Sequence, residues 1–187
     1  PPPPRANFGD GTLARIAIRR VGPGAGPSLT TLDDAARAIR RSPTREQVGD
    51  LLIKAALAIA GDGLDAVALF VIREPVAIGW KGAVRGAEPR LDEIAVPLDE
   101  PCLAARAFRS RGFERATAEH ATAIDRRLWT ALGGARPQAA VVAVVQISDH
   151  PVCLLYAHGA APRADLATGL AEAASSAFAR LLRAAQR

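Results

Sequence analysis

Two cysteines, Cys102 and Cys153, are the side chains best suited to covalent chemistry, and they form no C-x-x-C motif. Cys102 lies in the first turn of a predicted helix, where a helix N-terminus lowers the pKa of a thiol. The sequence leaves two interpretations of Cys102, a redox role and a small buried core residue. Cys153 lies in an apolar strand pattern, which predicts a core position. The cysteine usage also predicts a reduced, cytoplasmic setting.

The three histidines, His120, His150 and His158, are not spaced as metal ligands. Asp149 and His150 lie in a predicted hairpin turn, where an aspartate is expected for turn formation alone. No nucleophile-elbow, Walker or dinucleotide-binding motif is present. The sequence therefore predicts no metal, no cofactor and no catalytic residue that we can name.

The net charge of +5 and the pI of about 10.2 raise the question of nucleic-acid binding. The basic residues occur singly or in pairs with acids between them, and aromatic residues make up only 4% of the chain. Base-stacking platforms are therefore scarce. We predict no nucleic-acid partner. We also predict no membrane partner, because the sequence has no apolar run of about 18 residues.

The elements that position these residues centre on residues 65–80, DAVALFVIREPVAIGW. An apolar run, an Arg-Glu-Pro interruption and a second apolar run predict a hairpin whose first strand is buried on both faces. Residues 139–147 and 152–157 predict a second apolar hairpin. Residues 93–98 and 113–116 predict short strands, and residues 81–90 predict a polar loop carrying Lys81, Arg85 and Arg90. These three charges could contact an anion or only water.

Helical patterns precede and follow the strands. Apolar spacing predicts helices over residues 31–39, 43–60, 99–111, 124–132 and 162–185. Ser42 and Pro43 are predicted to cap and begin the second helix. Residues 1–29, rich in proline and glycine, predict a linker with a weak edge-strand pattern at 13–21, and residues 30–187 predict one α+β domain. Because the sequence begins with four prolines, we expect it to be a piece of a longer protein that has further domains upstream.

The element order resembles that of the GAF domain. The resemblance rests on SPTREQVGDLLIKAALAIAG leading into the first hairpin, on AIGWKG, on IAVPL followed by a helix, and on VVAVVQISDHPVCLLYAHG before the last helix. It implies a central antiparallel six-stranded sheet with helices packed on its faces. It also implies a cytoplasmic regulatory or interaction module of a larger bacterial signalling protein that either senses a small molecule or only dimerises. The Asn-Lys, Phe, Asp-Glu cyclic-nucleotide signature and a bilin-attachment cysteine context are absent.

In such a fold a pocket is expected between the sheet and the segment from residue 81 to residue 132. Candidate ligand-binding residues are Trp80, Cys102, Arg106, Arg109 and Trp129. Trp80 could stack on a ligand or cap the sheet as a core residue. An alternative function implied by the resemblance is a redox enzyme of the free methionine sulfoxide reductase type that uses Cys102, although that family uses a cluster of cysteines.

A homodimer through the terminal helices is the last expectation. In the final helix a second apolar line runs beside the line predicted to cover the sheet, and its residues are Ala167, Ala171, Ala174, Phe178 and Leu182. This apolar face is wider than the ~100° that a surface helix needs. Two copies could bury the surplus around a two-fold axis. The alternative is a monomer in an alanine-rich composition.

Overall fold

The computed structural model describes residues 29–86, 89–133 and 136–187. The predicted linker and its edge-strand pattern lie outside these residues, except for Leu29, which packs against the core. Within the described residues, no helix is long and apolar enough to cross a membrane.

The strands form one antiparallel sheet, as expected. They are β1 (Ala66–Arg73), β2 (Val76–Val84), β3 (Ala95–Pro97), β4 (Phe113–Thr117), β5 (Ala139–Ile147) and β6 (His150–Gly159). Their order across the sheet is β3-β2-β1-β6-β5-β4, and every neighbouring pair is antiparallel. Residues 66–70 of β1 are buried, which confirms that this strand is covered on both faces.

The helices cover the two faces unequally. They are α1 (Leu32–Arg41), α2 (Arg45–Ala60), α3 (Leu103–Ser110), α4 (Ala123–Ala131) and α5 (Ala164–Ala185). Helices α1, α2 and α5 pack on one face, which we call the bundle face. Helices α3 and α4 pack on the other, the α3/α4 face. The predicted α+β fold with helices on both faces is therefore confirmed.

Two local predictions are wrong. Helix α2 is capped by Thr44, whose side chain accepts a hydrogen bond from the Gln47 N–H, and Ser42 instead ends α1. The Ser42 hydroxyl donates to the Ala38 carbonyl, which keeps this polar side chain satisfied while it is buried. The predicted loop at residues 81–90 is also too long, because β2 continues to Val84 and pairs with β1.

Helix α5 is more deeply covered than its sequence indicates. Of its second apolar line, only Leu182 is exposed, at 47%. The close approach of α1 explains this, since a Cβ added at Gly169 would lie 2.7 Å from the Leu32 side chain. The surplus apolar surface on which the dimer prediction depends is thus largely buried within one copy of the chain.

Candidate functional site

Five buried side chains form a polar cluster beneath α3 and α4. Tyr156 and His158 come from β6, Asp125 and Trp129 from α4, and Cys102 precedes α3; each is at most 4% exposed. Residues 156 and 158 lie two apart on one strand, so both side chains point to the α3/α4 face. We call these five residues the polar cluster. Buried polar groups are costly unless they are hydrogen-bonded, so their partners decide what the cluster can do.

Asp125 joins the starts of the two helices. Its Oδ2 accepts hydrogen bonds from the N–H and the hydroxyl of Thr122, both at 2.9 Å, in a capping box at the start of α4. Its Oδ1 accepts the Leu103 N–H, at the start of α3, also at 2.9 Å. Two positive helix N-termini and three hydrogen bonds therefore stabilise the buried carboxylate.

Cys102 is the N-cap of α3 and lies just before its first turn. Its thiol donates to the Pro97 carbonyl and accepts the Ala105 N–H, both at 3.4 Å. Burial raises the pKa of the Cys102 thiol, and the nearby Asp125 carboxylate also raises it. Of the two interpretations of Cys102, the small buried residue agrees with this environment, because desolvation outweighs the effect of the helix N-terminus on the thiol pKa. Cys102 is a thiol that caps a helix.

Tyr156 and His158 form a neutral pair. The Tyr156 hydroxyl lies 3.0 Å from His158 Nδ1, and the two rings meet edge to face at 5.6 Å. Burial lowers the pKa of His158 to about 4, against a smaller opposing effect of Asp65. Burial also raises the pKa of Tyr156 well above its ordinary value. At neutral pH both side chains are uncharged.

Two nitrogens of the polar cluster have no hydrogen-bond partner in the described part of the chain. They are Trp129 Nε1 and His158 Nε2, and both are fully buried. Trp129 Nε1 lies near enough to the Tyr156 hydroxyl to lower the pKa of that hydroxyl as a long hydrogen bond would, so the lack of a partner is clearest at His158 Nε2. If the Tyr156 hydroxyl donates to His158 Nδ1, the neutral imidazole carries its proton on Nε2, and both nitrogens are donors. An unsatisfied buried donor costs about 1–3 kcal/mol, so such groups call for a bound water or ligand.

The five predicted ligand-binding residues do not share one pocket. Cys102 and Trp129 belong to the polar cluster, whereas Trp80 lies on the bundle face. There it packs against α2, where a Cβ at Gly49 would lie 3.0 Å from its ring, with Arg45 and Lys81 over the ring at 5.2 and 5.5 Å. A β-bulge opposite β1 residues 69 and 70 leaves Trp80 unpaired and turns it to this face.

The two predicted arginines lie on the outer side of α3. Arg106 lies 3.7 Å from Glu114 and donates to the Arg115 carbonyl, while Arg109 donates to the Glu100 carbonyl. Neither forms a hydrogen bond or ion pair with the polar cluster in the described part of the chain, although the charge of Arg109 acts weakly on the pKa of Cys102. Their predicted ligand-binding role therefore lacks the shared pocket on which it was based.

Of the two roles left open for Lys81, Arg85 and Arg90, contact with an anion gains no support from the structure. Lys81 lies in β2 and contacts Asp50 at 2.7 Å. Arg85 pairs with Asp62 at 2.8 Å, and Arg90 pairs with Glu93 at 3.0 Å. Each cation thus already has an acidic partner.

Sequence reasoning missed Asp125, Tyr156 and His158 as members of a site. Two polar side chains at alternate positions of an otherwise apolar strand were the available signal for the β6 pair. The Thr122-x-x-Asp125 spacing before an apolar helix was the signal for the capping box. Among the described residues, no group of three or more histidine, cysteine and acidic side chains could hold a metal ion.

Solved structures resemble this arrangement closely enough to define the fold. The chromophore-binding domain of the bacteriophytochrome RpBphP3 from R. palustris superposes with a TM-score of 0.63 at 11% identity, over 82% of this chain and 60% of that one. The GAF domain of an Acinetobacter phosphoenolpyruvate-protein phosphotransferase superposes with a TM-score of 0.61 at 11% identity, over 83% of this chain and 92% of that domain. The chain has a GAF-like fold.

Two further comparisons complete this result. Residues 122 to 287 of a methyl-accepting chemotaxis protein give a TM-score of 0.63 at 14% identity, over 80% of this chain and 98% of that one. No family model matches the sequence, and no curated protein matches it significantly. The GAF-like neighbours are mostly sensory or regulatory domains. Because their sequence identity to this chain is low, the structural likeness establishes only the fold.

Proposed function

We propose that this chain is a non-enzymatic regulatory module of a larger bacterial signalling protein, which acts in the cytoplasm and senses a small molecule through its α3/α4 face. The observation that supports sensing is the unpartnered His158 Nε2 in the polar cluster, together with Trp129 Nε1, whose contact with the Tyr156 hydroxyl falls short of ordinary hydrogen-bond geometry. Since both are donors when Tyr156 donates to His158, the ligand would carry acceptor oxygens or nitrogens. The neighbouring carboxylate of Asp125 disfavours an anion, so the ligand would be neutral.

Native mass spectrometry of the purified chain tests the sensing role. We expect a species heavier than the 19.5 kDa chain by the mass of a small ligand. The variants His158→Leu and Trp129→Phe should lose it. His150→Leu, which changes an exposed histidine in the β5–β6 hairpin, is the matched control and should keep it. The bare mass in every sample, with no ligand found in a metabolite screen, would remove sensing and leave only an interaction role.

The alternative redox function depends on Cys102. One similar fold is the free methionine-R-sulfoxide reductase from Neisseria meningitidis, with a TM-score of 0.60 at 11% identity, over 82% of this chain and 89% of that enzyme. Cys102 and Cys153 lie on opposite faces of the sheet, so they are not placed to act together. Burial raises the pKa of both thiols, that of Cys153 to about 12. Turnover of methionine sulfoxide with a thioredoxin system would establish this alternative instead.

The homodimer remains part of the proposal. Helices α1, α2 and α5 share one face, which supports a helical contact between two copies, and Leu182 is a large exposed apolar residue on α5. Sedimentation at tens of micromolar tests it, and a concentration-independent species of 19.5 kDa would contradict it. Leu182→Glu is the suitable disrupting variant, because Phe178 is only 8% exposed and its replacement would perturb the core.

A further inference from the structure

A separate groove lies on the bundle face, at the end of the sheet where the β1–β2 and β5–β6 hairpins turn. Its volume is about 360 Å³, and its apolar walls come from both hairpins and from the last turns of α5. The residues that form these walls include Val71, Trp80, Val152, Phe178, Leu181 and Leu182. The sheet separates this groove from the polar cluster, so the two sites are independent.

The charge around the groove has one sign. The charged residues that line it are Arg45 and Arg73, and no acidic residue lines it. Arg73 is exposed at the end of β1 and has no ion pair within the described part of the chain. Arg45 lies over the Trp80 ring and pairs with Glu46 at 3.2 Å on the exposed side. The groove therefore combines an apolar interior with one guanidinium, that of Arg73, which is free to donate hydrogen bonds to a carboxylate, while Arg45 already pairs with Glu46.

We infer that this groove binds a small amphipathic anion, a medium-chain aliphatic carboxylate whose chain lies against Trp80 and Leu182 and whose head contacts Arg73. The volume falls at the lower end of the ~300–1,000 Å³ of small-molecule sites. An α-helix of a partner protein, with a diameter of about 10–12 Å, would not fit inside it. Charge complementarity selects an anion over a neutral chain of equal length.

The two tryptophans make the groove and the polar cluster separately measurable. The chain has only these two, and Trp80 lines the groove while Trp129 is buried on the opposite face. In Trp129→Phe, emission reports Trp80 alone. We expect decanoate, below its micellar concentration, to change this emission in a saturable way. Decanol should bind about two- to fivefold more weakly, because it lacks the carboxylate and one exposed ion pair contributes that much. Butyrate should not bind. Calorimetry on the unaltered chain gives the same ranking without relying on the variant.

Substitutions at the groove test its location. Leu182→Glu should weaken decanoate binding at least tenfold, because it places a carboxylate at the apolar wall. Ser176→Glu adds the same charge at an exposed position of the same helix outside the groove, and it should leave binding unchanged. Arg73→Gln should weaken decanoate about two- to fivefold and leave decanol unaffected.

Four results would overturn the inference. They are the absence of saturable binding at millimolar decanoate, equal binding of decanoate and decanol, insensitivity to Leu182→Glu, and a response only to anionic lipid vesicles. A dimer that dissociates in Leu182→Glu and ignores decanoate would assign the groove to a second copy of the chain instead. Loss of the ligand from the polar cluster would change none of these readings, since the two sites lie on opposite faces of the sheet.

Discussion

The buried imidazole of His158 makes the stability of the fold depend on pH. Its pKa falls from 6.5 in the unfolded chain to about 4 in the fold, where the side chain is fully buried. Between these values the unfolded chain binds a proton that the folded chain does not. Stability therefore decreases as the pH falls from about 6.5 to about 4, and His158 contributes no pH dependence above this range. At ~1.4 kcal/mol per pKa unit, the loss amounts to about 3 kcal/mol.

Urea unfolding at a series of pH values from 7.5 to 4, on the intact chain and on His158→Gln, measures this loss. Carboxylates also titrate in this range, so the quantity that isolates His158 is the difference between the two pH profiles. We expect the unaltered chain to lose about 3 kcal/mol more than the variant across the window. His150→Gln, at an exposed position, should follow the unaltered chain. Parallel profiles, or an imidazole of His158 that titrates near pH 6.5 by NMR in the folded chain, would refute the reasoning.

Three other outcomes follow from burial and hydrogen bonding. Phe70→Ala, at a site 2% exposed in β1, should cost about 3–5 kcal/mol in urea unfolding, and Ile72→Ala, which is half-buried, should cost clearly less. Asp125→Ala should lower the free energy of unfolding by at least ~2 kcal/mol, since it leaves the Leu103 and Thr122 N–H groups without their acceptor. A loss below about 1 kcal/mol would show that water replaces the carboxylate. Cys102 should react with a thiol reagent only after unfolding, and fast labelling of the native chain would contradict its assignment as a buried cap.

The sequence was sufficient for the fold but insufficient for the site, and Trp80 shows why. Strand alternation and hairpin signals locate β1, β2, β5 and β6 because each depends on neighbouring residues alone. The face that Trp80 occupies depends on a bulge formed with β1, and although Gly79 and Gly82 in AIGWKG are compatible with a bulge, its position depends on the pairing with β1. Likewise, the raised pKa of Cys102 depends on burial by elements distant in the chain, whereas its position before a helix is a local feature.

The Asp125 carboxylate has a mechanical consequence. Since Asp125 belongs to α4 and accepts the Leu103 N–H at the start of α3, neither helix can lift from the sheet alone without breaking this hydrogen bond. A motion that keeps this bond must carry both helices as one body. Strand β4 connects them along the chain and forms the edge of the sheet beside β5. A ligand that displaced either helix would therefore strain that edge strand. A structural change at the polar cluster would in this way reach the edge of the sheet.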